Sequence, residues 1–281
     1  MISSIFPVRS GVALSPPGTV AGDASRDVFL SLLIDILGDV RLLVLPGIAN
    51  TATTTDESVN ARTITWNESL QAWDTAPAVK GSGVALTFNG TDEEGDTPDQ
   101  ANMTFGDATL DEPFTICALV QVSATTGIKE ILTKYDLTTG NTKREWRLQA
   151  DAAEKVNFIL YDESAAASIG RMYNTALTAD TWMLLVGTYD GTRVAGGIKV
   201  YLYDGTTKAQ VDDTDASAGS YVAMENTASL VRIGMSQGTA AQSLFFKGKM
   251  GLLTLSLGAL SATEVANIAK LCDSFFDLAI S

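Results

Sequence analysis

Hydrophobic and polar positions alternate with a period of two along most of the chain. In residues 114–122, Phe, Ile, Ala, Val and Val take every second position, which predicts a strand with one strongly buried face. The dipeptides Asp190-Gly191 and Asp204-Gly205 follow such runs and predict turns, because glycine adopts positive φ without steric cost. Further strand-like runs lie at 42–45, 84–88, 130–133, 146–149, 156–161, 182–189, 198–203, 229–233 and 250–257. Many short strands with few helices between them favour an antiparallel sandwich or barrel.

Two segments have a helical period instead. Residues 26–37 follow the helix-capping residues Asp23 and Ser25, and their polar positions recur every four residues while the rest are apolar. A helix with so narrow a polar stripe is expected to bury most of its surface against the sandwich or against another subunit. The residues assigned to this interface are Val28, Phe29, Leu33 and Ile36. Near the end of the chain, Ser261-Ala-Thr-Glu264 forms a capping box and predicts a C-terminal helix.

Residues 1–22 contain three prolines and three glycines without a sustained apolar period, so they are interpreted as an extended arm. Apolar side chains such as Ile5 and Phe6 are expected to hold this arm against an apolar groove, and both are assigned to the interface. The predicted division is therefore an assembly segment, residues 1–38, and a sandwich with a C-terminal helix, residues 39–281.

Composition excludes several classes of function. Hydrophobic residues make up 46% of the chain, enough for a full core. The net charge of −14, from 19 basic and 33 acidic residues, argues against nucleic acid and anionic membranes as partners. The chain has no histidine, which excludes Ser-His and Cys-His nucleophile pairs and histidine-containing zinc sites. The two cysteines, Cys117 and Cys272, are interpreted as buried free thiols, and the apolar stretch 28–45 carries too many charges to span a membrane.

Several sequence blocks together resemble the concanavalin A-like jelly roll, specifically its laminin G-like and pentraxin-like domains. The blocks, in order, are Leu42 to Leu45, Gly83 to Gly90, Pro113 to Val120, Ile131 to Lys134, Trp182 to Gly191, and Phe246 to Met250 followed by Ala259 to Glu264. This resemblance covers residues 39–271 and implies an all-β, concanavalin A-like antiparallel sandwich. Gly251 stands where the family usually has an aspartate, and no calcium ligand set of the pentraxin type can be matched residue by residue.

The acidic loop at residues 89–99 is the best candidate for metal binding, because calcium prefers several oxygen ligands on a glycine-bearing loop. The alternative interpretation, which is preferred, is a solvated acidic turn between two strands. The same loop also approximates the Glu-x-Asp-x-x-Glu pattern of laminarinase-type glycosidases, but Gly95 and Pro98 are expected to interrupt the strand which that chemistry requires. No catalytic residue and no required cofactor are therefore predicted, with calcium as an open alternative. The carboxylates concerned are Asp92, Glu93, Glu94, Asp96 and Asp99.

Three aromatic residues in loop-like sequence are candidates for glycan binding, which needs a solvent-facing ring with amide and carboxylate groups beside it. They are Trp66, Trp73 and Tyr173. Each of them has the alternative role of covering the edge of the sandwich core. Trp146 and Trp182, which lie in strand patterns, are expected in the core.

The sequence alone leaves three functions open. The preferred hypothesis is a non-enzymatic virion structural protein, such as a phage capsid-decoration or fibre-associated subunit, because Met1 is not followed by an export signal and the arm suits assembly. Its expected location is the virion surface, and its expected partners are other copies of itself or capsid and tail proteins. The second hypothesis is a carbohydrate-binding adhesion module that recognises host glycans, and the third is a glycosidase of the same fold.

Overall fold

The computed structural model describes residues 21–45, 53–67, 74–75, 84–123, 127–138, 142–238 and 244–281. Ile5, Phe6 and Trp73 lie outside these ranges. Two α-helices are present in the described part of the chain, α1 (Ala21–Leu37) and α2 (Ala262–Phe276). Helix α1 begins five residues earlier than the sequence pattern predicts.

The described chain contains nineteen strands. In chain order they are β1 (Asp39–Val44), β2 (Thr53–Thr55), β3 (Thr63–Asn67), β4 (Asp74–Thr75), β5 (Val84–Asn89), β6 (Glu94–Thr97), β7 (Phe114–Val122), β8 (Lys129–Asp136), β9 (Lys143–Ala150), β10 (Val156–Asp162), β11 (Ala167–Met172), β12 (Trp182–Tyr189), β13 (Ile198–Tyr203), β14 (Lys208–Gln210), β15 (Thr214–Asp215), β16 (Val231–Ile233), β17 (Met235–Ser236), β18 (Leu244–Phe245) and β19 (Lys247–Leu257).

The strands form two large antiparallel sheets. One has eight strands in the order β14-β13-β12-β7-β19-β5-β4, with β1 also paired to β19. The other has nine strands in the order β15-β11-β10-β9-β8-β16-β6-β3-β2, while β17 and β18 form a separate hairpin. This architecture confirms the predicted all-β sandwich of the concanavalin A-like type.

The main core lies between the two sheets. Phe114 of β7 stacks on Phe105 with ring centroids 4.1 Å apart, and Trp146 of β9 packs 6.1 Å from Phe114. Trp146 is fully buried, as predicted, whereas Trp182 is half-buried and packs on the opposite side of the eight-stranded sheet. The alternation in residues 114–122 therefore fixes which face of β7 enters this core.

A second hydrophobic cluster joins both helices to the outer face of the eight-stranded sheet. Phe29 of α1 stacks on Phe275 of α2 at 4.1 Å, and Leu33 is fully buried in the same cluster. Both side chains are therefore buried within the chain, which corresponds to the predicted packing against the sandwich. Val28 is 59% exposed and Ile36 is half-buried on the same helix.

Candidate functional site

Tyr173 lies in the loop after β11 and lines an open pocket. The Tyr173 backbone N–H donates to the Val156 carbonyl at 2.9 Å, and its half-buried ring packs against the main core. The pocket has a volume of about 320 Å³ and is lined by Tyr173 together with Gln210, Val211, Asp212 and Asp213. One of the three predicted glycan-binding aromatics thus lies at a pocket.

The opposite wall of the pocket is the segment that connects the two sheets. Residues 211–213 link β14, at the edge of the eight-stranded sheet, to β15, at the edge of the nine-stranded sheet. Asp212 is buried and held in place, since its Oδ1 accepts from the Val200 N–H at 3.1 Å and its Oδ2 lies 3.6 Å from Arg171 Nε. The wall is therefore fixed to both sheets.

Asp213 and Gln210 supply exposed polar groups beside the Tyr173 ring. Asp213 Oδ1 accepts from the backbone N–H of Asn174 at 2.9 Å, which ties the two sides of the pocket together. Aromatic rings stack on apolar faces of ligands, and carboxylates and amides bond to hydroxyl groups. The arrangement thus has the components of a small polyol-binding site.

Trp66 is not the solvent-facing ring that the sequence pattern predicts. It lies in β3, is 4% exposed, and its indole Nε1 donates to Thr54 Oγ1 at 2.9 Å. Its ring packs on Gly95 of the neighbouring strand β6, where a Cβ would overlap the ring. Because Gly95 has no side chain, the Trp66 ring can lie directly against the backbone of β6, and this contact buries the ring.

The acidic loop divides into a turn and a strand. Asp92 and Glu93 lie in the turn, where Asp92 Oδ1 accepts from Asn89 Nδ2 at 2.8 Å and Glu93 accepts from the Asn89 backbone N–H. The expectation that Gly95 interrupts the strand is wrong, because β6 runs from Glu94 to Thr97 and pairs with β3 and β16.

Within β6, Glu94 and Asp96 share one face and both lie near Arg232, whose Nε is 3.9 Å from Glu94 Oε2. Burial raises the pKa of both carboxyl groups, and Arg232 partly offsets this. Asp99 is directed elsewhere, with its Oδ1 2.9 Å from Lys134 Nζ. The five carboxylates therefore do not converge, and no group of three potential metal ligands occurs in the described ranges.

A polar row on the outer face of the nine-stranded sheet is a feature that the sequence pattern did not reveal. Glu130, Gln149 and Asn157 lie in register on β8, β9 and β10, and all three are buried. Glu130 Oε1 accepts from Arg147 Nη1 at 3.2 Å and from Ser236 Oγ at 3.1 Å. One oxygen of each row residue has no hydrogen-bond partner within the described structure.

Burial raises the pKa of Glu130 to about 7, although Arg147 and Ser236 oppose this change. Arg147 also stacks over two tyrosine rings, 4.8 Å from the Tyr135 centroid and 5.5 Å from that of Tyr161. The signal in the sequence is the row of polar and charged residues at alternate positions of 143–149, together with Asn157 in the next strand-like run. The polar row is missed when all residues of a strand-like run are interpreted as apolar core.

Comparison with known proteins identifies the family to which this fold corresponds. A family model described as the concanavalin A-like lectin/glucanases superfamily matches residues 89–266, more than half of the chain. No curated protein sequence matches the chain. Among the described residues, no helix is long and apolar enough to cross a membrane.

Similar solved structures include toxin binding domains. A structure of botulinum neurotoxin type C, which depends upon interaction with two ganglioside molecules to enter cells, has a TM-score of 0.56 and 11% identity, covering 85% of this chain and 53% of that one. The binding domain of Paraclostridial mosquitocidal protein 1 has a TM-score of 0.55 and 12% identity, with 83% and 52% covered. The chain thus spans about half the length of these structures, and the likeness concerns the fold. By the family match, the chain belongs to the concanavalin A-like lectin/glucanases superfamily.

Proposed function

We propose that this chain is a non-enzymatic, lectin-like domain that binds glycans in the pocket at Tyr173. The observation that carries the proposal is the half-buried Tyr173 ring beside the exposed side chains of Gln210 and Asp213. A sugar offers an apolar C–H face for the ring and hydroxyl groups for the amide and carboxylate. The similar toxin domains support the proposal, because they are themselves binding domains and one toxin interacts with gangliosides.

The proposal of a binding rather than a catalytic function also rests on the carboxylates of the acidic loop. Retaining glycosidases need two carboxyl groups about 5 to 5.5 Å apart around the scissile bond. Glu94 faces Arg232, and Asp99, the third position of the glycosidase-like pattern, contacts Lys134 instead. We expect no release of reducing sugar from β-glucans or laminarin. Turnover that disappears in Glu94→Gln would overturn this part of the proposal.

We further propose that the domain is displayed on a virus particle, as a capsid-decoration or fibre-associated subunit that contacts its own copies or capsid and tail proteins. Two features support this role. The sequence of residues 1–22 is rich in proline and glycine yet carries large apolar side chains. Helix α1 also leaves Val28 and Leu32 exposed, at 59% and 47%.

Glycan-array binding followed by titration calorimetry tests the pocket. Tyr173→Ala is expected to weaken binding of the selected glycan about tenfold, because the stacking surface is lost, whereas Tyr173→Phe keeps the ring and most of the affinity. Asp213→Asn should also weaken binding, and Asp92→Asn, an exposed carboxylate on a distant turn, serves as its matched control. Unchanged affinity in a correctly folded Tyr173→Ala variant, or no glycan bound on a broad array, would contradict the proposal.

A further inference from the structure

Lys134 lies in the interior of the sandwich with its ammonium group crowded by oxygen atoms. The residue belongs to β8 and its side chain is 0% exposed. Its Nζ donates to three acceptors, which are Glu145 Oε1 at 2.6 Å, Thr104 Oγ1 at 2.6 Å and the Thr227 carbonyl at 3.1 Å. A fourth oxygen, Asp99 Oδ1, lies 2.9 Å from the same nitrogen.

These four oxygens exceed the three hydrogens of an ammonium group. The Asp99 oxygen is the surplus contact, since it is close to Nζ but is not oriented as a hydrogen-bond acceptor in the described structure. The amine nitrogen and the carboxyl group of Asp99 are thus held together without a hydrogen bond between them. The contact holds the amine nitrogen beside the Asp99 carboxyl group, and such proximity is the first requirement for a reaction between the two groups.

Glu145 is the second carboxyl group at the Lys134 nitrogen, since its Oε1 lies 2.6 Å and Asp99 Oδ1 lies 2.9 Å from Nζ. It lies at the bulge of β9 between Arg144 and Trp146, which pair with Tyr135 and Lys134 of β8, and its side chain is fully buried. Its Oε1 contacts Lys134 Nζ and also accepts from the N–H and Oγ1 of Thr227, while Oε2 has no hydrogen-bond partner within the described ranges. Burial raises the pKa of Glu145, and Lys134 partly offsets this, so the Glu145 carboxylate is a stronger base than a free glutamate side chain.

The charges of this cluster do not balance. Lys134 supplies one positive charge, whereas Glu145 and Asp99 are two carboxyl groups at the same nitrogen. An unpaired charge is costly in a buried site. Conversion of the Lys134–Asp99 ion pair into a neutral amide removes two charges from the site and leaves Glu145 in the protonation state that it had before.

We propose that Lys134 and Asp99 condense to form an intramolecular amide bond between Nζ and Cγ, with Glu145 as the catalytic proton carrier. Glu145 first relays a proton from the ammonium group to the Asp99 carboxylate, which gives a neutral amine and a carboxylic acid. The amine lone pair then forms the N–C bond, and the proton released from nitrogen passes through Glu145 to the departing hydroxyl group. One water molecule leaves, no oxidant is needed, and Glu145 ends in its initial state.

The surroundings suit this reaction. Lys134 and Glu145 are sealed from solvent, whereas the Asp99 side chain is 31% exposed and gives the water a way out. Val231 of β16 lies opposite Lys134 on one side and opposite Thr97 of β6 on the other. The bond would therefore clamp the segment after β6 to β8 across an intervening strand, which resists separation of the sheet.

The intact mass of the purified full-length chain tests the proposal directly. The wild-type protein is expected to be about 18 Da lighter than its sequence mass, because one water is lost. Lys134→Arg and Glu145→Gln should each restore the full mass. Lys129→Arg is the matched control, since Lys129 is also a buried lysine in an ion pair, with Glu154 at 2.9 Å, and should keep the deficit.

Peptide mapping then locates the bond. A branched peptide that contains both Asp99 and Lys134 is expected from the wild type and absent from Lys134→Arg. A wild-type chain at full mass would overturn the proposal without any variant. A mass deficit with only linear peptides would also overturn it, since the dehydration then lies in a cyclic imide, and a deficit that persists in Glu145→Gln would refute the role of Glu145.

Discussion

Replacement of Glu130 by glutamine is expected to stabilise the protein in neutral and alkaline solution. The Glu130 side chain is fully buried on the outer face of the nine-stranded sheet, and one of its carboxylate oxygens has no hydrogen-bond partner in the described structure. Glutamine has nearly the same shape and keeps an acceptor for Arg147 and Ser236. Its amide N–H groups also offer donors to the neighbouring Gln149 oxygen, which lacks one within the described ranges.

The size of the stabilisation in Glu130→Gln follows from the pKa of Glu130, which burial raises from 4.5 to about 7. Because the folded state holds the proton more tightly than the unfolded state, this group favours folding most below pH 4.5. Its contribution is lost as the pH rises through 7, where the carboxylate must ionise inside the protein. This difference between the pKa of Glu130 in the folded and unfolded states corresponds to about 3 kcal/mol in the free energy of unfolding above pH 7.

Urea denaturation from pH 4 to pH 8 measures the effect as the difference between Glu130→Gln and wild type. The difference should be near zero at pH 4, rise between pH 4.5 and 7, and level off at about 3 kcal/mol in favour of the variant. Glu57→Gln, which breaks the partly exposed ion pair with Arg26, is the control and should change stability by about 0.5 kcal/mol without such a step. A pH-independent difference, or a less stable Glu130→Gln at pH 8, would refute the reasoning.

Two further predictions concern packing and buried hydrogen bonds. Gly95→Ala should destabilise the sandwich by about 1 to 3 kcal/mol in chemical denaturation, because its Cβ would overlap the Trp66 ring, whereas Gly196→Ala, with no atom within 4 Å of the new Cβ, should have little effect. Asp111→Ala should lower stability by about 3 kcal/mol, since the Asp111 carboxylate accepts from two tyrosine hydroxyls and one backbone N–H at 2.6 to 2.8 Å. Equal stability of the two alanine-for-glycine variants, or an unchanged unfolding temperature for Asp111→Ala, would contradict the respective argument.

The fold could be predicted from the sequence because its signals are local. The alternation that starts at Phe114 ends at Val122, and β7 has the same bounds. The capping box at Ser261 is present as predicted, with the Ser261 hydroxyl accepting from the Glu264 N–H and the Glu264 carboxylate accepting from the Ser261 N–H. Each of these signals depends on residues no more than one strand or one helical turn apart.

The partners of buried side chains could not be predicted, because they come from distant parts of the chain. The apolar pattern of α1 requires burial but does not name Phe275 as the partner of Phe29. Trp66 was expected in a loop, since nothing next to it in sequence indicates that Gly95 lies beneath its ring. In both cases the missing information is a contact that only the strand or helix pairing brings about.

The candidate site could also be predicted only in part from the sequence. Tyr173 is identified from the sequence as an aromatic residue in a loop-like segment, and the structure adds the facing wall at Asp212 and Asp213, which the link between the two sheets supplies. The Glu130 row was missed because a charged residue inside a strand pattern is buried only when three strands align in register. Register between strands is a tertiary property, which alternation within a single strand does not specify.

Deletion of residues 1–20 separates the role of the arm from that of α1. Helix α1 begins at Ala21, and its Phe29 and Leu33 are buried within the chain, so the truncated protein should keep its circular dichroism spectrum and fold. The deleted segment carries apolar side chains, including Ile5 and Phe6, whose burial at a neighbouring copy or particle would offset the entropy of ordering the segment. Sedimentation velocity should therefore show a smaller assembly for the truncated chain than for the full chain. If the truncated chain keeps the same assembly mass and still attaches to its particle, the arm is not a clasp, and if it unfolds, the arm is part of the folded domain.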